Sequence, residues 1–187
     1  MGRGENLSDE EIISDCLKGN GHAYAELVRR HQRMVFNVLY RFLGNYEASQ
    51  DISQETFIAA YRKLDTFNGR SKFSTWLCQI ALNKARDMLR GQGMESLCDD
   101  LEDHQAVLAA EDRETPHRRL EMAEENKRVQ QVLNKMPANY REILLLKHLQ
   151  GFSNEEIVGL LKTSIENIKV RTFRARQMFK RIYEEMR

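Results

Sequence analysis

Apolar residues recur along most of the chain three and four positions apart, the spacing of helices with one buried face. The first such segment follows Ser8-Asp9-Glu10-Glu11, where Ser8 or Asp9 can accept from free backbone amides and the glutamates favour the positive helix end. It predicts a helix to about Lys18, stopped by Gly19-Asn20-Gly21. A second helix starts near His22 and carries Tyr24, Leu27, Val28 and His31, then Val35, Val38, Leu39 and Phe42, to end at Gly44-Asn45. A third, from about Glu47 to Leu64, turns Phe57, Ala60, Tyr61 and Leu64 inward and groups Asp51, Gln54 and Glu55 outward.

Phe67 to Arg90 reads as a loop with aromatic ends that passes at Ser74 into a helix. Leu77, Ile80, Ala81, Lys84 and Met88 share one stripe of that helix, while Gln79, Asn83, Arg86 and Arg90 lie opposite. Arg offers phosphate charge and paired donors, and Asn and Gln can both donate to and accept from a base edge. In the loop, the rings could support an unstacked base, with Arg70 and Lys72 beside its phosphate.

Gly91-Gln92-Gly93 breaks the pattern, and periodicity stays weak to His117, with a short helix expected at Ala106 to Glu111. Arg118 to Met136 is predicted helical with Val129, Val132, Leu133 and Met136 inward. The next helix begins at Pro137-Ala138, holds Ile143, Leu144, Leu146 and Leu149, and ends at Gly151. Ser153-Asn154-Glu155-Glu156 is a capping box for a short helix with Ile157, Leu160 and Leu161 buried. After a turn at Lys162-Thr163-Ser164 comes a last helix, with Ile168, Thr172, Ala175, Phe179 and Ile182 along one face. Helix, short turn and basic helix form a helix-turn-helix plan, whose second member can enter a major groove. On that helix Asn167, Val170, Arg171 and Arg174 cluster, flanked by Lys169 and Arg176.

Charge sharpens this picture. The net charge of +1 argues against a protein that merely coats DNA. From Glu95 to Glu114 eight acids face one base, and from Leu161 onward eight bases face three acids, so the balance hides an acidic middle and a basic tail. Cys16, Cys78 and Cys98 are odd in number and widely spaced, and His22, His31, His104, His117 and His148 lack metal-ligand spacing. Neither a metal, a cofactor nor a catalytic constellation is expected. The longest apolar runs fall well short of the roughly 20 residues that span a bilayer, and Met1 to Asn6 lacks a signal-peptide core. The expectation is a cytoplasmic protein without membrane insertion.

The run Asp51-Ile52-Ser53-Gln54-Glu55-Thr56-Phe57, then Phe67-Asn68-Gly69, Phe73-Ser74-Thr75-Trp76-Leu77 and Ile80-Ala81-Leu82-Asn83, resembles the promoter-opening domain of bacterial sigma factors. It is most similar to the short extracytoplasmic-function (ECF) group, which keeps two domains. Leu144-Leu145-Leu146, Glu155-Glu156-Ile157 and Phe173-Arg174-Ala175-Arg176 resemble the upstream-promoter-reading domain of the same family. The implied fold is all-α. A promoter-melting helical bundle (1–92) and a four-helix helix-turn-helix domain (118–187) are joined by a flexible acidic linker (93–117). Gly91 to His117, fully extended, would reach roughly 90 Å, enough for two duplex sites two turns, or about 70 Å, apart.

The resemblance also implies roles. Asp51, Gln54 and Glu55 would grip the clamp coiled coil of the RNA polymerase largest subunit, with the flap as a further contact. Asn68, Arg70, Lys72, Trp76, Gln79, Asn83, Arg86 and Arg90 would hold the downstream promoter element, the loop capturing an unstacked base. Asn167, Lys169, Val170, Arg171, Arg174 and Arg176 would hold the upstream element as duplex. The linker would thread the active-site and RNA-exit channels, and an anti-sigma factor would hold the protein inactive. Three features depart from the family pattern: Lys162 stands where a small residue or Gly is usual, Glu166-Asn167 where Gly-Thr is, and Val170 where Ser is common. Glu166 can repel phosphate or accept from a cytosine amine. Alternatives from the residues are a stand-alone operator-binding regulator and a sigma-like decoy that binds polymerase without starting transcription.

Overall fold

A computed structural model describes residues 7–91, 116–149 and 151–186, and these contain helices and turns but no strand. Ser8 opens α1 (Asp9–Leu17) by the expected capping box, its Oγ accepting from Glu11 N at 3.2 Å while Glu11 Oε2 accepts from Ser8 N at 2.7 Å. A 3-10 turn leads into α2 (Tyr24–Leu43), which stops where Gly44 adopts φ 73°, a left-handed conformation that glycine enters without strain. Asn45 then caps α3 (Tyr46–Arg62), its side chain accepting from Ala48 N at 2.8 Å. The loop from Phe67 delivers the chain to α4 (Phe73–Gly91).

These four helices enclose one core. Leu27, Val35, Val38, Leu39 and Phe42 of α2 meet Phe57 and Ala60 of α3 and Leu77, Cys78, Ala81, Leu82 and Ala85 of α4. Two expectations are corrected here. Tyr61 is 49% exposed, because its ring lies over Tyr24 (centroids 4.9 Å apart) at the rim. In α4 the buried stripe centres on Cys78, Ala81, Leu82, Ala85 and Leu89, which leaves Ile80, Lys84 and Met88 half-buried at its edge. A continuous apolar run, Leu77-Cys78 with Ala81-Leu82, widens the buried arc beyond the single stripe.

The C-terminal domain holds α5 (Pro116–Asn134), α6 (Ala138–Leu144), a π-helical turn (Leu145–Leu149), α7 (Asn154–Leu161) and α8 (Ile165–Glu185). α5 begins at Pro116, two residues earlier than expected, consistent with proline's preset φ at a helix start. The predicted short helix at 106–111 and most of the linker lie outside the described residues. Val132, Leu133, Met136, Ile143, Leu145, Leu146, Ile157, Ile168 and Ala175 fill this core. Ser153 caps α7 with a second capping box, and Ser164 caps α8 by accepting from Asn167 N at 3.2 Å.

The two domains touch through the C-terminus of α2. Gly44 N caps Tyr40 O at 2.8 Å, and the other domain supplies further donors to the last carbonyls of the helix. Gln130 Nε2 lies 3.3 Å from Tyr40 O and 3.4 Å from Arg41 O, and the buried Arg141 donates through Nη1 to Phe42 O. A guanidinium at this end also suits the helix dipole. Gly44 permits the approach, since a Cβ there would come within 2.5 Å of Asn134 Oδ1.

Candidate nucleic-acid interface

On α3, Asp51, Gln54 and Glu55 occupy successive turns of one exposed face, as their spacing requires. Glu55 Oε2 pairs with Lys84 Nζ of α4 at 2.8 Å, which fixes its direction while Asp51 and Gln54 remain in solvent. One turn further along lies Ile58, 53% exposed, an apolar side chain that the sequence reading passed over. Acid, amide and exposed isoleucine together make a face suited to a partner with basic and apolar groups.

The loop before α4 is built on three rings. Phe67 stands edge-on to Phe73 at 5.7 Å, and Trp76 lies 5.5 Å from Phe67 and 5.7 Å from Phe73. Phe73 is buried and also meets the His31 ring at 5.3 Å, so it belongs to the support and offers no stacking face. Phe67 and Trp76 are half-buried. Between them Gly69 turns the chain at φ 69°, Asn68 Oδ1 accepts from Arg70 N at 3.2 Å, and Asn68, Arg70 and Lys72 project outward. The loop is therefore a cationic rim around an aromatic base.

Along α4, Asn83 and Arg90 are exposed and Gln79 is half-buried, while Arg90 pairs with Asp87. Arg86 is different. Its Nη2 donates to Asn83 Oδ1 at 2.5 Å, and its Nε lies 3.4 Å from Glu142 Oε1 of the C-terminal domain. Burial pushes the Glu142 carboxyl above its ordinary value, and the charges of Arg86 and then Arg171 pull it back.

On α8, Asn167, Lys169, Val170, Arg174 and Arg176 are exposed and Arg171 is half-buried. Arg176 Nε donates to His148 Nε2 at 3.1 Å, and burial, aided by Arg176 and Lys147, holds the His148 imidazole below its ordinary value. Phe173, 65% exposed, adds an apolar side chain to this face. Glu166 keeps its carboxyl below the usual range through its own backbone amide and the Ser164 hydroxyl, so an anion is retained at the helix entry. Lys162 occupies the turn at φ 49°, where glycine would be free of strain.

Among the described residues no group of three or more His, Cys, Asp and Glu is placed to hold a metal, and no helix is long and apolar enough to cross a membrane. Sequence reasoning missed Gln130, Arg141 and Glu142. The only signal was a pair of charged residues directly before the apolar run Ile143 to Leu146, where a solvated face and a domain contact look alike.

Residues 27–94 match the family model for sigma-70 region 2, and residues 126–179 match that for sigma-70 region 4. The ECF RNA polymerase sigma-E factor of Haemophilus influenzae is 31% identical, over 93% of this chain and 94% of that protein. Among solved structures, CnrH in complex with the cytosolic domain of CnrY is 27% identical with a TM-score of 0.67, covering 93% of this chain and 96% of that one. The sigma factor RpoE of Bartonella quintana, in complex with the anti-sigma factor NepR, shares the fold at a TM-score of 0.69 and 21% identity, covering 88% and 98% of the two chains.

Proposed function

As this chain belongs to the ECF group of RNA polymerase sigma factors, we propose that it is a non-enzymatic cytoplasmic subunit that brings core polymerase to a two-part promoter and helps part the strands. The observation that carries the reading is the display of three unlike surfaces on two family domains in the right order. They are an acid and amide face on α3, a ringed cationic loop leading to α4, and a basic α8 behind a helix-turn.

In this reading Asp51, Gln54, Glu55 and the adjacent Ile58 meet the polymerase clamp. Asn68, Arg70 and Lys72 guide the non-template strand over Phe67 and Trp76. Extracting a base costs a few kcal/mol, which stacking of about 1–3 kcal/mol per base and phosphate contacts offset. Gln79, Asn83, Arg86 and Arg90 continue that contact along α4. Arg171, Arg174 and Lys169 hold the upstream duplex through phosphate, with Asn167 and Val170 at the base edges. An anti-sigma protein that holds the two domains belongs to the same proposal, supported by the likeness to sigma-type folds captured with such partners.

Run-off transcription with purified core polymerase on genomic fragments tests it. Transcripts from defined start sites that require the protein are the expected result. Association with core and no transcript from any fragment would instead make it a decoy. Dimeric binding to a palindromic duplex without polymerase would make it an operator regulator.

A further inference from the structure

Arg86 lies on the face of α4 assigned above to the downstream element; its guanidinium donates to Leu82 O and Asn83 Oδ1 of its own helix, and the same Nε also forms an ion pair with the other domain. Glu142, 4% exposed on α6, presents Oε1 to Arg86 Nε at 3.4 Å, and that oxygen accepts no hydrogen bond among the described residues. The charges of Arg86 on α4 and Arg171 on α8 both bear on this carboxylate, one from each surface assigned to DNA. Two further points close the same junction. Gln130 and Arg141 reach the carbonyls of α2, and Thr75 Oγ1 donates to Glu156 Oε1 at 3.2 Å.

We propose that Glu142 is an internal stand-in for a promoter phosphate, engaging Arg86 so that the C-terminal domain covers the downstream-element reader until the two domains part. The proposal rests on the assignment of Arg86 to DNA. Because Arg86 and Glu142 come from different domains, their contact cannot survive separation. A carboxylate buried this deeply is tolerated only while a cation faces it. Once the domains part, Glu142 gains water and keeps Arg171 of its own domain, and Arg86 is left to bind a phosphate oxygen. Each half of the pair thus has a second partner waiting, which makes the closed arrangement a competitor of DNA.

Small-angle scattering of the full chain tests the clasp. Arg86→Gln leaves the buried carboxylate with Arg171 as its remaining cation and should raise the open fraction about tenfold or more, read as a larger radius of gyration. Arg86→Gln with Glu142→Gln removes that under-compensated charge and should return the chain toward its compact size, a rescue that simple damage to the fold would not give. Fork DNA carrying a single-stranded downstream element should expand the wild-type chain. A compact Arg86→Gln chain, or a double variant as open as the single one, overturns the clasp. Failure of the fork DNA to expand the wild type overturns the competition. Promoter opening by the Arg86→Gln holoenzyme separates the premises: unchanged opening removes Arg86 from the DNA contacts and overturns the masking, whatever scattering shows of the clasp.

Discussion

Lys162 is the described non-glycine residue held at positive φ, in the turn between α7 and α8. A left-handed conformation costs an L-residue roughly 1–2 kcal/mol, and glycine relieves it at some expense in unfolded-chain entropy. Lys162→Gly should therefore stabilise the protein by about 0.5–1 kcal/mol, seen as a higher melting temperature; a lower one would sink the argument. Glu142 makes a second prediction. Burial lifts its folded pKa above the unfolded value, so its contribution to stability is complete below the ordinary carboxylate range and is lost as pH rises through the folded value. Melting temperatures of wild type and Glu142→Gln should diverge across that window, the wild type losing ground as pH rises. Parallel profiles would refute it. The thiols differ too. Cys78 is fully buried and pushed up to about 12, whereas Cys16 is partly exposed and shifted up by burial and by Asp15. Iodoacetamide at neutral pH should label Cys16 in the native protein and Cys78 only on unfolding, as peptide mass mapping would show.

At the level of helices, periodicity located nearly every element because caps and glycines mark their ends in the sequence. Ser8, Asn45, Ser153 and Ser164 all act as N-caps, and Gly44 ends α2 in the left-handed conformation. Exposure of Asp51, Gln54, Glu55, Asn83 and Arg174 follows from the same spacing. What periodicity could not settle was which aromatic residues are reachable. Phe73 and Phe67 look equivalent as loop ends, yet Phe73 points into the core beside His31 while Tyr61, expected inside, lies at the rim. An aromatic ring suits either place, and only packing against residues distant in sequence decides. Two element-scale predictions follow from the faces. Asp51→Arg with Glu55→Arg should abolish co-purification with core polymerase while leaving far-UV circular dichroism unchanged. Arg174→Ala should weaken upstream duplex binding and reduce the salt slope by about one; an unaltered slope would remove Arg174 from the phosphate contacts.

For the whole molecule, the sequence foretold two helical domains, but the way they meet was not legible in it. The junction depends on main-chain carbonyls of α2 and on Gln130 and Arg141, polar residues whose pattern is that of any wet helix face. Gly44 is the residue on which the approach hinges sterically. Gly44→Ala places a methyl against Asn134 and strains a backbone at φ 73°, so it should both lower the melting temperature and enlarge the radius of gyration. A destabilised chain of unchanged size would show that Gly44 serves only the turn.

The donors at this seat come from the C-terminal domain and the acceptors are peptide oxygens, present whatever side chains stand at positions 40 to 42. The buried Arg41 of α2 adds a contact in the other sense, donating through Nη2 to Asn126 Oδ1 at 2.7 Å. Substitutions elsewhere on the outer surface of α2 would leave the peptide acceptors in place, and Gln130 and Arg141 are the side chains whose loss releases them. A molecule that needed to pry the halves apart would do best by offering those two side chains better carbonyls elsewhere.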